Sequence, residues 1–295
     1  MIERRAITAL EVVILLILCI ITAGLAVMLV ARHRDNSQQV QCRNNLRAMG
    51  KAIHTYHDAS SANEHLRRLP PSRIAEGYAT WAVLLAPFLI KEHPLQLWDK
   101  QQSYFAQQHE VREAQLIMYF CPARSRATAL SLSGDVDKTN KHFRGALGDY
   151  ACVAGDGGGD HEWTGPKANG ALVIAEVTDR KGDRILDWHS RTSLSSLTRG
   201  TAYTMLIGEK HVLSAHQAEA EFGDGSVYNG QHSASFARVA GPGYPLADGL
   251  DAPLNNNFGS SHKAVCLFLM ADGSFRALST DTSNIVLGRM ARRGD

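Results

Sequence analysis

The sequence predicts an α+β fold, in which a long, membrane-compatible N-terminal helix packs on a mainly antiparallel, β-rich globular domain. Three observations carry this. Val12 to Ala31 holds no charged residue, and roughly 20 apolar residues at about 1.5 Å each cross a bilayer core. The apolar period stays helical beyond that run and changes to two after about residue 143. Near the C-terminus, an apolar run, Asp272-Gly273 and an alternating run read as a hairpin.

Taken in order, Met1 to Arg5 is a short charged leader before the apolar run, and Glu11 is the one charge between Ala6 and Ala31. A secretory signal peptide has the same outline, but its apolar region is shorter and ends at a small-residue cleavage site. A carboxylate inside a membrane helix is costly and normally has a partner. Basic residues flank the run on both sides, so charge leaves its orientation open. Downstream, Cys42, Leu46, Met49, Ile53 and Tyr56 form one helical stripe. This predicts a continuation of the helix, with a candidate break around Asp35–Ser37 and an end at Ser60–Asn63 before Pro70-Pro71. Gly50 within it costs about 1 kcal/mol relative to Ala. His54 and His57, with Asp58 adjacent, suggest either a metal or the docking of a helix end, and docking is the plainer reading.

The 295 residues carry a formal charge of +2 and 44% hydrophobic residues. That balance offers no basic footprint for nucleic acid and argues against disorder. About 260 residues follow the apolar run, enough for one large domain or two small ones. Of the five cysteines, Cys19 lies in the apolar run; Cys42, Cys121, Cys152 and Cys266 allow three complete pairings. No CxxC or Cys/His spacing of a zinc site is present.

Thr80 to Ile90 reads as a short apolar helix ending near Pro87, and Leu116 to Pro122 as a strand-like run. Residues 125–140 are polar and read as a loop. Tyr150–Val153, Ala171–Val177, Thr201–Glu209 and Ser235–Val239 are strand candidates between Gly- and Asp-rich turns. The loop Gly155–Glu162 has neither P-loop nor EF-hand spacing. Its Asp156 and Asp160 could offer oxygens to calcium, against the plainer reading of a solvated connection. In the hairpin, Ala264–Met270 is apolar on both faces, hence a buried central strand. Ten extended residues cover about 33 Å, so His262 and Asp272 lie at opposite ends and cannot share a ligand. Thr280–Ser283 can cap a last helix, Asn284–Arg293.

Two blocks resemble known families. Arg4-Arg5-Ala6-Ile7-Thr8-Ala9-Leu10-Glu11 resembles the cleavage and methylation signal of type IV pilins and type II secretion pseudopilins, with Ala6 in place of the usual Gly. Gln41–Asp58, with C-x-N-N-L and H-x-Y-H-D, and Phe258–Leu278, with His262 and Asp272-Gly273 as H-x9-DG, resemble a bacterial prepilin-like family of unknown function. Trp81–Leu89, Cys121-Pro122 and Gly208-Glu209-Lys210 also match that family. The resemblance implies cleavage after Ala6, N-methylation of Ile7, and pairing of Glu11 with the terminal ammonium of a neighbouring subunit. It further implies a Cys42–Cys121 disulfide, an amphipathic helix over Leu95–Gln108, and a fold-signature role for His262, Asp272 and Gly273.

The implied organisation is a leader (1–6), a transmembrane segment (7–31), an amphipathic continuation (32–60) and an extracytoplasmic domain (61–295). That domain would be helical to about residue 125, β-rich over 143–280 and closed by a helix over 284–293. The protein would be a single-pass inner-membrane subunit with a cytoplasmic N-terminus. Its partners would be the inner membrane, pilin-type subunits and the prepilin peptidase, with no nucleic acid, cofactor, metal or enzymatic activity. The alternative is an uncleaved membrane protein whose outer domain is a non-polymerising binding module. A hydrolase lacks any G-x-S-x-G, H-E-x-x-H or paired-carboxylate pattern.

Overall fold

The computed structural model describes residues 9–62, 67–157 and 165–294. Helix α1, Ala9–Ala59, runs 51 residues without interruption, roughly 75 Å at 1.5 Å per residue. The candidate break at Asp35–Ser37 is not there. No proline or glycine lies in that stretch to break it, and immediately beyond it the Gln38 side chain donates to Pro122 O at 3.0 Å.

The two halves of α1 have different surroundings. Apolar side chains of the first half stand exposed, from Leu10 at 69% to Val30 at 67%. In the second half, the predicted stripe Cys42, Leu46, Met49 and Ile53 is wholly buried, and Tyr56 packs on the same core. Among the described residues, this is one helix long and apolar enough to cross a membrane.

The buried half of α1 lies against a five-stranded sheet and a second helix. Strands β1 (Tyr150–Val153), β4 (Met205–Glu209), β5 (Ala237–Arg238), β6 (Val265–Met270) and β7 (Phe275–Ser279) are ordered β5-β1-β4-β6-β7. Only β1–β5 is parallel among these pairings. Strand β6 is central, as its doubly apolar sequence requires. Leu267 and Leu269 join the core under α1, while Cys266, Phe268 and Met270 join a second core on the opposite face. Helix α5 (Asn284–Ala291) covers that second face with Leu287, Met290 and Ala291.

Helix α2 (Trp81–Leu89) holds Pro87 in its last turn and packs against α1. Two short α-helices follow among the described residues, α3 (His109–Arg112) and α4 (Ser233–Phe236). The hairpin β2–β3 (Glu176–Lys181, Arg184–His189) forms a separate two-stranded sheet. Its largely exposed strands give no buried period to read.

Further expectations are corrected. Thr201–Glu209 is strand only from Met205, after a 3-10 turn at Thr201–Tyr203, and Ser235–Val239 is strand only at Ala237–Arg238, after a helical turn. Leu95–Gln108 is not a helix but two 3-10 turns, Pro94–Leu97 and Tyr104–Ala106. Gln107 explains part of this: its side chain donates to Asp99 O at 2.8 Å and accepts from Asp99 N at 3.0 Å, in competition with helical bonding. The run 116–122 is not a strand but a 3-10 turn, Ile117–Tyr119. Tyr119 O accepts from Asp149 N at 2.7 Å, and Cys121 N donates to the Asp149 carboxylate at 2.8 Å. Ala171–Val177 is strand only from Glu176, because 173 and 175 bond to the 72–73 backbone instead.

Gly50 has a structural reason. A Cβ there would lie 2.8 Å from Leu269 Cδ1 and 3.5 Å from Gly273 Cα, so the missing side chain lets α1 approach the β6–β7 turn. Gly273 itself sits at φ +82, and Asp272 Oδ1 accepts from Ser274 N at 2.9 Å to tighten that turn.

Candidate functional site

The chain's two most distinctive blocks, 41–58 on α1 and 258–278 on the closing hairpin, lie side by side. At one end, Cys42 meets His262; at the other, Gly50 and His54 meet Gly273. His262 and Asp272 therefore flank β6 at its two ends, as extended-chain geometry requires. His54 packs on the turn, and His57 Nδ1 lies 3.2 Å from Asp58 Oδ1 at the helix end.

Around the Cys42–His262 end, four donor side chains converge. Cys42 Sγ and Cys121 Sγ are 3.1 Å apart; His262 Nε2 is 3.2 Å from Cys42 Sγ and 3.6 Å from Cys121 Sγ. Glu209 Oε1 lies 3.4 Å from His262 Nε2. All four residues are buried, and their donor atoms lie within 4.8 Å of one another. The expected Cys42–Cys121 pair is thus brought together, but as free thiols, well outside a disulfide length of about 2.05 Å. Cys152 and Cys266 are buried on opposite faces of the sheet.

Each donor has a support. Glu209 ends β4, and its second oxygen accepts from Leu267 N at 2.9 Å. His262 precedes β6, with Nδ1 3.6 Å from Asp35 Oδ1 on α1. Burial opposes the imidazolium at His262, but Cys121 and the Glu209 carboxylate outweigh it and raise its pKa to about 10. The Cys121 thiol is pushed up by its hydrogen bond to Cys42 and by burial. Glu209 and Lys210, adjacent in the chain, point into different clusters.

Lys210 joins a buried ionic network behind Cys121. Its Nζ is 3.0 Å from Asp224 Oδ1, and Arg126 bridges Asp224 at 2.6 Å and Asp149. Arg124 Nε lies 2.8 Å from Asp149. Burial alone would raise the Asp224 carboxyl, but the Lys210 and Arg126 charges hold it well below the usual carboxylate range. A folded-state pKa below the unfolded one means stability present above the unfolded value and lost as pH falls below it. Melting temperature should therefore drop as pH falls below about 4, the unfolded carboxylate value. A pH series of thermal melts on the full chain in detergent checks this, and a flat profile from pH 5 to 2 would contradict it.

Other predicted positions lie elsewhere. Asp156 faces Asn169 Nδ2 at 2.8 Å and Arg292 Nε at 3.4 Å, so protein groups already serve its carboxylate. Asp160, Ala6 and Ile7 lie outside the described residues. Glu11 is in the first turn of α1, an exposed position. Asp35 carried no signal in the sequence, because its role rests on a contact with a histidine 227 positions away (262 − 35).

The family model described as "Protein of unknown function (DUF1559)" matches residues 32–284. No curated protein and no solved structure matches the chain.

Proposed function

We propose that this chain, which belongs to the DUF1559 family of proteins of unknown function, is a membrane-anchored, pilin-like structural subunit without enzymatic activity. The observation that carries this reading is α1 itself. One unbroken helix presents an exposed apolar half to its surroundings and docks its other half on the β-rich domain. An exposed apolar surface of that length is stable in a bilayer or against like helices, not in water. The domain then sits outside the inner membrane, and the short N-terminal leader lies on the cytoplasmic side.

In this reading the prepilin peptidase cuts after Ala6, Ile7 becomes the methylated N-terminus, and Glu11 meets the ammonium of a neighbouring subunit. The pairing would set an opposite charge beside the one carboxylate of the apolar run. Type II secretion and type IV pilus machineries are the assemblies that use such subunits. Mass spectrometry of the protein from membranes should find an N-methylated Ile7 terminus; an intact Met1 beside an active prepilin peptidase refutes processing. Glu11→Ala should lower recovery in assembled, cross-linkable oligomers by at least about tenfold, equivalent to ~1.4 kcal/mol of lost pairing. Unchanged recovery would favour the binding-module reading. For that reading, the open groove of about 470 Å³ at the end of α1, lined by Tyr56, Arg68, Phe88, Trp188 and His189, is the natural ligand site.

A further inference from the structure

We infer that Cys42, Cys121, Glu209 and His262 form a structural zinc site that locks the anchor helix onto the domain. The ligands come from four separate segments: α1, the loop after the Ile117–Tyr119 turn, the end of β4 and the loop before β6. Two thiolates, an imidazole and a carboxylate suit a borderline-soft, tetrahedral cation, and four protein donors leave no open position for catalysis.

Four of the six donor–donor distances can be set against a tetrahedral centre; the two sulfur–oxygen distances are within 4.8 Å. Bonds of about 2.3 Å to sulfur and about 2.0–2.2 Å to nitrogen and oxygen give tetrahedral edges of roughly 3.7 Å for S···S, 3.5 Å for S···N and 3.4 Å for N···O. The observed S···N edges are 3.2 and 3.6 Å, and the N···O edge is 3.4 Å. The S···S edge, 3.1 Å, is the most compressed, and the shorter S···N edge is compressed less; thiolates repel, and a cation between them would open the S···S edge.

A second observation comes from Glu209. Its residue is 1% exposed, and Oε1 has no hydrogen-bond partner. Were a His262–Glu209 ion pair the purpose of the cluster, a charge-assisted bond would close to about 2.7–2.9 Å. Instead, the carboxylate is held back by Leu267 N through its other oxygen, with Oε1 3.4 Å from the imidazole and a carboxylate oxygen within 4.8 Å of both thiols. Nor does a disulfide account for Glu209 and His262, which would then remain a buried pair without a bond.

The outer contacts fit as well. Asp35 Oδ1 faces the far nitrogen of His262 at 3.6 Å, which places a carboxylate behind a ligating histidine. It would fix Nδ1 as the protonated nitrogen and leave Nε2 for the metal. Binding one dication would release three protons to solvent, one from each thiol and one from the His262 imidazolium, leaving the imidazole neutral and the carboxylate ionised.

The experiment uses the full chain, extracted from membranes in detergent with thiols trapped on lysis. One arm maps the state of Cys42 and Cys121 by alkylation and mass spectrometry. In the other arm, reduced, chelator-stripped protein is titrated with Co²⁺ and Zn²⁺. The expected results are free thiols, one metal per chain, and a thiolate-to-cobalt charge-transfer absorption that Zn²⁺ abolishes. His262→Gln and Glu209→Gln should remove that absorption. Asp35→Asn changes a half-buried residue at the same size and leaves all four ligands in place, so it should fold normally and weaken zinc binding about 10–100-fold. A Cys42–Cys121 disulfide in the trapped protein would overturn the proposal in favour of a covalent tie. Folded, reduced protein that binds no cobalt through thiolate would overturn it in favour of a metal-free ion pair.

Discussion

Asp224→Asn should destabilise the folded chain by about 3–5 kcal/mol, the range for removing one partner of a buried ion pair. Asp224 is wholly buried and receives Lys210 at 3.0 Å, Arg126 at 2.6 Å and the Ala218 backbone N–H at 2.8 Å. Asparagine keeps the shape but not the charge, leaving the Lys210 ammonium buried beside two arginines. Lys210 cannot reach water to compensate, since it is itself 0% exposed. Its pKa, already lowered by burial to about 8, should fall further once the carboxylate that opposes the shift is gone. Chemical denaturation of the full chain in detergent, followed by circular dichroism, measures the loss. A change under 1 kcal/mol would mean that the network is hydrated rather than buried. Replacing Asp224 and Lys210 together by apolar residues should cost less than Asp224→Asn alone, because it strands no partner of that pair.

Trp81→Ala should cost about 3–5 kcal/mol, the range for deleting a buried Trp or Phe side chain. Trp81 is fully buried at the start of α2 and meets Tyr119 edge-to-face with centroids 5.5 Å apart. Its indole also donates to Phe236 O at 2.8 Å, a bond that alanine cannot make. Trp81→Phe fills most of the cavity but loses that bond, so it should cost about 0.5–1.5 kcal/mol, the net contribution of one hydrogen bond. The two variants separate packing from hydrogen bonding by the same denaturation measurement. Equal losses for both would assign the whole effect to the bond with Phe236.

The elements read correctly from sequence share one property: their residues answer to local rules. The apolar run and the Cys42-to-Tyr56 stripe are helical periods, Asp272-Gly273 is turn chemistry, and β6 is apolar on both faces. Where local rules failed, bonding to distant chain had replaced them. The 116–122 run has strand-like residues but no strand partner, since Asp149 supplies both backbone and carboxylate contacts. Leu95–Gln108 has helical aromatics, yet Trp98 and Tyr104 turn inward, where Trp98 meets Tyr228 at 5.9 Å.

The candidate site divides in the same way. Cys42, Cys121 and His262 stand in recognisable motifs, and Glu209 in another, but no spacing joins positions 42, 121, 209 and 262. Sheet order joins them: β4 beside β6 places Glu209 near His262, and α1 against β6 delivers Cys42. By itself, the sequence determined a long helix with an apolar outer half, a domain that turns from helical to β-rich, and a closing hairpin. Each is set by a period or a turn within a few residues. Only the tertiary structure decided the four-donor cluster, Asp35 behind His262 and the Lys210–Asp224 network. These rest on buried polar groups that need partners, and the fold supplies those partners from segments far apart in the chain.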